Sequence, residues 1–165
     1  MKLEEAQKEF IKSWGMLGSS WGINKAMAQI HALLLIAPEP LSTEEIMNEL
    51  QISRGNANMN IRALIDWGIA EKEQKLGDRK DYFKTDKDIM VLAGKVTRER
   101  RRREIEPLLN MLKSVQEVEK SSDPESKEFK KVTKEILEFS KKVDGMLDKF
   151  SKTDQNWFYK LLLKM

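Results

Sequence analysis

Apolar residues recur at steps of three and four along the first 37 positions, which is the spacing of amphipathic helices. The first apolar stripe comprises Leu3, Ala6, Phe10, Trp14 and Leu17. It predicts a helix that ends at the run beginning with Gly18. A second helix is predicted from Ile23 to Ala37, because Pro38 and Pro40 cannot continue a helical hydrogen-bond ladder. Its inner stripe is Ile23, Met27, Ile30 and Leu34.

Two start signals follow closely. Ser42 with Glu45 three residues later forms a capping box, which predicts a helix to about Leu50. Ser53 is a second N-cap after a tight connection, and Gly68 should end the helix that begins there. The sequence therefore predicts two short helices joined by a sharp turn.

The pattern changes after that helix. Residues 69–76 and 80–85 flank Gly77-Asp78-Arg79, which predicts a β-hairpin with a basic tip. Three helices followed by a hairpin make a winged helix–turn–helix. The predicted fold class is therefore mainly α, with a winged helix–turn–helix at its centre.

Helical periodicity returns at Asp88 and continues almost to the end of the chain. One long helix carries Ile89, Leu92, Val96, Ile105, Leu108, Leu112 and Val115, and Pro107 should kink it or start it afresh. After a turn at 121–124, a second stripe comprises Phe129, Val132, Ile136, Ser140, Val143, Leu147 and Phe150. Thr153 is predicted to cap a last short helix.

These terminal helices have apolar stripes that one small domain cannot bury. Long helices at both ends of such a domain usually bury their stripes in a two-fold dimer. We therefore expect an N-terminal dimerisation helix over residues 1–19, a winged helix–turn–helix over 20–87 and a C-terminal helical dimerisation region over 88–165.

Composition removes several classes of site. The 165 residues include no Cys and a single His, which excludes a disulfide framework, a thiolate metal site and a histidine cluster. We expect neither a metal nor a cofactor. No apolar run approaches the roughly 20 residues that span a bilayer, and acids stand where a signal peptide would be cationic. We therefore expect a soluble, cytoplasmic protein.

The net charge of +3 is unevenly distributed. Residues 86–103 hold seven bases against three acids, whereas residues 20–85 hold eight bases against nine acids. The excess lies in the arginine run at 98–103. Such a run is usually a solvated helix face, and contact with a phosphate backbone is the functional alternative.

The third helix has a distinctive outer face. If Ala57, Ile61 and Leu64 point inward, the opposite face holds Gly55, Met59, Arg62 and Asp66, flanked by Asn56, Asn58 and Ala63. Amide and guanidinium groups pair bidentately with the edges of adenine and guanine. A wet surface with weak helix formers remains the alternative for the asparagines alone.

Two further features have ordinary explanations. His31 sits in the middle of an apolar helix, where a satisfied packing or surface role is more common than a ligand or sensor role. Tryptophans could form a cage for a quaternary ammonium group, but core or dimer contacts are the commoner use of Trp14, Trp21, Trp67 and Trp157.

Several short motifs resemble the GbsR branch of the MarR superfamily of transcriptional regulators. The two most specific are Ser53-Arg54-Gly55-Asn56 with Met59-Asn60-Ile61-Arg62, and the wing Gly77-Asp78-Arg79-Lys80-Asp81-Tyr82. Supporting matches are Trp21-Gly22-Ile23, Pro40-Leu41-Ser42 and Asp66-Trp67-Gly68-Ile69. The resemblance covers roughly residues 10–110.

The resemblance implies a homodimer that binds double-stranded DNA. By analogy, the helix at 53–67 enters the major groove, Arg79 enters the minor groove, and Asp78 orients the wing next to Lys80. Some relatives respond to small metabolites such as choline, but this sequence carries no ligand signature, so an effector stays open.

Two other function classes are weighed against DNA binding. Winged helices also serve as protein-interaction modules, and the slight acidity of residues 20–85 favours that alternative. An enzyme is disfavoured, because the sequence has no nucleophile elbow, no phosphate-binding loop and no spaced acid–base pair.

Overall fold

The computed structural model describes residues 1–117 and 123–152 and divides the chain into two compact units, Met1–Leu92 and Ala93–Met165. The turn predicted at Ser121 and Ser122 and the short helix predicted from Thr153 lie outside the described residues. No helix in the described ranges is both long and apolar enough to cross a membrane.

The first unit is a winged helix–turn–helix, as the sequence predicts. Its elements are α1 (Leu3–Ser20), α2 (Lys25–Ile36), β1 (Leu41–Ser42), α3 (Thr43–Leu50), α4 (Arg54–Asp66), β2 (Ala70–Gln74), β3 (Asp81–Thr85) and the start of α5 (Ile89–Arg100). The strands form an antiparallel sheet in the order β1-β3-β2. The wing is the β2–β3 hairpin.

The register joins the three strands to one another, and one buried hydroxyl bonds the end of β3 to the segment that follows α4. Phe83 of the central strand β3 pairs with Leu41 of β1 on one side and with Lys72 of β2 on the other. The Thr85 hydroxyl donates to the Ile69 carbonyl over 2.5 Å at the base of the hairpin. This bond satisfies a buried polar group where the wing leaves α4.

Helix α2 forms the centre of the first unit, since apolar side chains are buried around most of its circumference. The largest fully buried side chains in the described residues are Ile30 and Leu34 of α2, Ile46 of α3 and Leu64 of α4. The predicted inner stripe of α2 is confirmed for Met27, Ile30 and Leu34. This core fixes the angle at which α4 presents its outer face.

Helix α1 packs on α2 through the middle of the predicted stripe, where Trp14 contacts His31, and through two glycines that the stripe did not include. Gly15 and Gly18 are buried, whereas Leu3 and Leu17 of the predicted inner stripe are exposed. A Cβ on Gly18 would lie 2.5 Å from the Cβ of Ala28. The helices therefore approach too closely for any larger side chain, and apolar periodicity alone cannot reveal such a glycine contact.

We expect Gly18→Ala to destabilise the first unit by about 1–3 kcal/mol, because the added methyl group overpacks a close helix contact. The matched control is Gly145→Ala in the helix at 124–151, where a Cβ would meet nothing within 4 Å. That change should stabilise slightly, because alanine loses less conformational entropy in a helix. Urea denaturation measures both, and a Gly18→Ala protein as stable as wild type would refute the close approach.

His31 is buried in the α1–α2 contact at 8% exposure. Its ring centroid lies 6.3 Å from that of Trp14, which in turn packs 5.4 Å from Phe10. Within the part of the chain that the structure describes, His31 Nε2 has no hydrogen-bond partner. The predicted packing role is correct, but the expectation of a satisfied imidazole is wrong for this nitrogen. Burial lowers the pKa of His31 to about 4.

This pKa predicts a pH-dependent stability. The unfolded imidazole takes up a proton near pH 6.5, whereas the folded one stays neutral down to about pH 4, so stability is complete above pH 6.5 and falls as the pH drops through this window. Between pH 7 and pH 5.5 the loss should be about 1 kcal/mol. His31→Gln should remove this slope in denaturation curves, and an identical slope in the variant would rule out His31 as its source.

The described residues of the second unit are almost entirely helical. After its share of α5 come a π-helical segment (Arg101–Ile105), α6 (Glu106–Val115) and α7 (Pro124–Ser151). The fresh start predicted at Pro107 is confirmed, because proline lies in the first turn of α6. Proline has no N–H to donate to the carbonyl four residues back. The Glu106 N–H just before it donates to the Arg101 carbonyl five residues back, as in a π-helix.

The arginine run is largely engaged within this unit. Arg101 donates to Asp144 over 2.7 Å and to Asp148 over 2.6 Å, which ties the π-helical segment to α7. Arg102 and Arg103 both pair with the buried Glu99 carboxylate. Arg101 is therefore neither on a solvated helix face nor free to contact phosphates, because its partners are carboxylates more than 40 residues away in the sequence.

Helix α7 has two apolar faces rather than the single predicted stripe. Leu137 packs on Leu109 and Leu112 of α6, and Ser140 is buried as well. An adjacent face, here called the α7 seam, repeats in alternating steps of three and four and comprises Phe129, Val132, Ile136, Phe139, Val143, Met146 and Phe150. Most of the seam is exposed, and Phe139 is 68% exposed.

Candidate nucleic-acid interface

The turn between α3 and α4 is built from local capping bonds. The Ser42 backbone N–H and hydroxyl each donate to the Glu45 carboxylate over 2.7 Å, so the predicted capping box is present. Gln51 ends α3 in the left-handed conformation at φ 52°. Ser53 Oγ then accepts the Asn56 N–H over 3.2 Å and starts α4. The helix–turn–helix geometry is therefore fixed by the residues that the sequence singled out.

Helix α4 buries the predicted side. Ala57, Ile61 and Leu64 are at most 3% exposed, and the opposite face is open to solvent. Its exposed members are Gly55, Asn58, Met59, Arg62 and Asp66, with Asn56 and Ala63 half-buried at its edge. One face of a single helix, with its edge, thus brings together five of the ten predicted contact residues.

Asn60 is a polar anchor of α4 that the sequence analysis did not identify as one. It is 2% exposed, and its Nδ2 donates to the backbone carbonyl of Asn56 over 2.9 Å and to Asn56 Oδ1 over 2.6 Å. The oxygen of the Asn56 side chain is therefore engaged within the helix. The signal was an asparagine at the predicted inner edge of the helix, where an unpaired amide would be costly.

The cations of α4 have different surroundings. Arg54 at the first turn is held by Glu44 of α3 over 2.9 Å, and this pairing holds the pKa of Glu44 below its usual range. Among the residues that the structure describes, the side chains of Arg62 and Asn58 make no hydrogen bond or ion pair. These two groups therefore remain available to a partner.

The tip of the wing is a tight turn stabilised by one aspartate. The Asp78 N–H donates to the Lys75 carbonyl over 3.0 Å, and Gly77 has φ +83°, which the third position of a type II turn requires. Asp78 accepts the Lys80 N–H over 2.9 Å and the Tyr82 hydroxyl over 2.7 Å. The Tyr82 bond is the main reason that the pKa of Asp78 is lowered. The carboxylate thus orders the segment on which Arg79 stands.

Arg79 follows this turn and is exposed together with Lys80. Within the described ranges, the Arg79 guanidinium has no protein partner. Leu76 at the apex is fully exposed, a feature that the sequence analysis did not single out. Lys75 lies 4.1 Å above the Tyr82 ring, so part of the basic charge is held along the hairpin.

The outer face of α4 and the tip of the wing both present polar and basic side chains to solvent. No group of three or more histidine, aspartate or glutamate side chains in the described part of the chain could hold a metal ion. The exposed side chains of Arg62, Arg79, Asn58 and Met59 supply guanidinium, amide and thioether groups for recognition of a partner.

Comparisons with known proteins point to regulators of transcription. No protein-family model matches the chain. Over 77 residues it is 32% identical to the HTH-type transcriptional regulator MmpR5 of Mycobacterium tuberculosis, an overlap of 46% of this chain and 47% of that protein. The chain thus matches about half the length of this relative. A crystal structure of a transcriptional regulator is similar in fold, with a TM-score of 0.64 and 21% identity over 90% of this chain and 99% of the other.

Proposed function

We propose that the chain is a dimeric transcriptional regulator of the GbsR-like branch that binds specific sequences in double-stranded DNA. Helix α4 enters the major groove, and the wing brings Arg79 to the adjacent minor groove. The observation that carries the proposal is the outer face of α4, where Arg62 and Asn58 stand exposed without a protein partner in the described ranges. The similarity to transcriptional regulators supports it.

The chemistry of this face suits base edges. An arginine guanidinium donates two parallel hydrogen bonds to guanine, and an asparagine amide pairs with adenine in the same bidentate way. We propose that Arg54 and Lys80 contact phosphates, together with Ser53, Gly55 and Asn56 at the amino end of α4. Because helix N-termini attract phosphate groups, this end of α4 can set the register on the duplex.

A second copy of the chain is the proposed partner of the α7 seam. A regular alternation of three- and four-residue steps is the pattern of a coiled-coil surface, and water-exposed phenylalanines at these positions are costly in a monomer. Exposed Leu3, Met16 and Leu17 on α1 extend the same argument to the N-terminal helix. A two-fold dimer would present two α4 helices to half-sites about one helical turn apart.

A winged-helix interaction module remains the second candidate, because residues 20–85 hold nine acids against eight bases. The two candidates differ in their response to salt. A DNA-binding protein releases counterions from phosphates, so its affinity falls steeply as salt rises. An adaptor surface with little net charge should not show this dependence on a duplex.

Fluorescence anisotropy on labelled duplexes across a salt series tests the proposal. We expect binding to random duplex at low salt, a linear fall of log affinity with log salt, and tighter binding to a selected site. Absence of binding to every duplex at low salt would contradict the proposal and favour the adaptor.

We expect Arg79→Ala to weaken binding most where the operator has A·T-rich flanks, since narrow minor grooves attract an inserted arginine. If each Arg79 also neutralises about one phosphate, the salt slope of the dimer should fall by about two units. The control is Lys84→Ala, because Lys84 is already paired with Glu73 on the hairpin. Isotherms on A·T-rich and G·C-rich flanks measure the effect, and unchanged affinity on both would remove the wing from the mechanism.

A further inference from the structure

Met59 is an apolar side chain at the centre of a polar, solvent-facing surface. It is 59% exposed and lies one turn after Gly55 and one turn before Arg62 on the outer face of α4. The core of the first unit does not use it, because the buried side of α4 is the opposite one. An exposed apolar group on an otherwise polar contact face favours a partner with an apolar group of its own.

Gly55 leaves room for this side chain to reach that partner. Long side chains on a helix lean toward its amino end, which for Met59 is the direction of Gly55. A Cβ at Gly55 would meet nothing within 4 Å, so the helix surface on this side of Met59 is open to a duplex that docks there. The flexible, polarisable methionine can adapt to a small apolar target.

The major groove offers one such target. Its edges consist of hydrogen-bond donors and acceptors except for the C5 methyl group of thymine. We infer that Met59 reads a thymine methyl group, beside the bases that Arg62 and Asn58 contact. This inference rests on the proposed function and adds to it a required thymine in each half-site. A cytosine methylated at C5 presents the same apolar group at the same place.

The test uses an operator obtained by selection and replaces its thymines singly with deoxyuridine, which removes only the methyl group. For wild type, one thymine of each half-site should show a loss of about fourfold on replacement, the value of one buried methyl group. Met59→Ala should bind the thymine and deoxyuridine operators equally at that position. Met59→Leu should keep the preference, since it keeps the apolar contact, and Met59→Gln should lose it.

The matched control is Met111→Ala, which removes another half-exposed methionine, on α6, and should leave the thymine preference unchanged. Equal melting temperatures of the Met59 variants and wild type would show that folding is intact. Retained operator specificity with the same deoxyuridine effect in wild type and Met59→Ala overturns this inference alone. Failure of wild type to prefer any selected site overturns the proposed function as well.

Discussion

Replacing Ile136 and Phe139 with glutamate should convert the protein to a monomer and reduce its affinity for an operator by about 100-fold or more. Both side chains lie on the α7 seam, with Ile136 43% and Phe139 68% exposed in the single chain, so the substitutions remove few internal contacts. In the proposed dimer they would bury two carboxylates without partners, which the interface cannot tolerate. A monomer also loses the avidity of two linked half-site contacts, which commonly amounts to a factor of 100 or more.

Lys131→Glu is the matched control for this experiment. It changes the charge of α7 by the same two units, and Lys131 is exposed away from the seam. Its mass in analytical ultracentrifugation and its anisotropy isotherm should equal those of wild type. A seam variant that keeps the dimer mass would remove α7 from the interface and leave α1 as the candidate.

Arg62→Ala should weaken operator binding by about 1–3 kcal/mol at each half-site, which is about 5- to 150-fold. The guanidinium is exposed and has no protein partner in the described ranges, so the fold should lose nothing. Affinity for random duplex should change much less, because base edges rather than phosphates are lost.

Arg62→Lys separates the two kinds of contact. Lysine keeps the charge but not the planar pair of donors, so it should bind random duplex as wild type does and should not restore the preference for the operator. If Arg62→Ala weakens operator and random duplex equally and lysine restores both, Arg62 contacts only phosphate. Asn58 or Met59 would then have to carry the sequence preference.

Local signals explain why most of the first unit could be predicted. The capping bonds of Ser42 and Ser53 involve residues at most three positions away. Gly77 can form its turn because glycine tolerates the positive φ that the turn requires. The inner face of α4 follows from helical periodicity alone, since the other face has no apolar stripe that could compete. The exposed residues of α4 were predictable for the same reason, because they lie on the face opposite its apolar residues.

Long-range packing explains the errors. Apolar periodicity favoured Leu3 and Leu17 on α1, but the contact with α2 uses Gly18, which only the closeness of another helix explains. On α7, spacing by three and four merged two neighbouring faces, and only the position of α6 separates Leu137 from the seam. Arg101 forms an ion pair with Asp144, 43 residues away, and no local sequence pattern predicts this contact.

Selection of bound duplexes from a random DNA library, followed by sequencing, tests the central claim most directly. We predict enrichment of one two-fold symmetric motif whose half-sites lie about 10 base pairs apart, and we predict that Arg62→Ala loses preference at one position of each half-site. Enrichment of no motif by the folded wild-type protein, under salt conditions that still permit binding, would contradict sequence-specific recognition by α4.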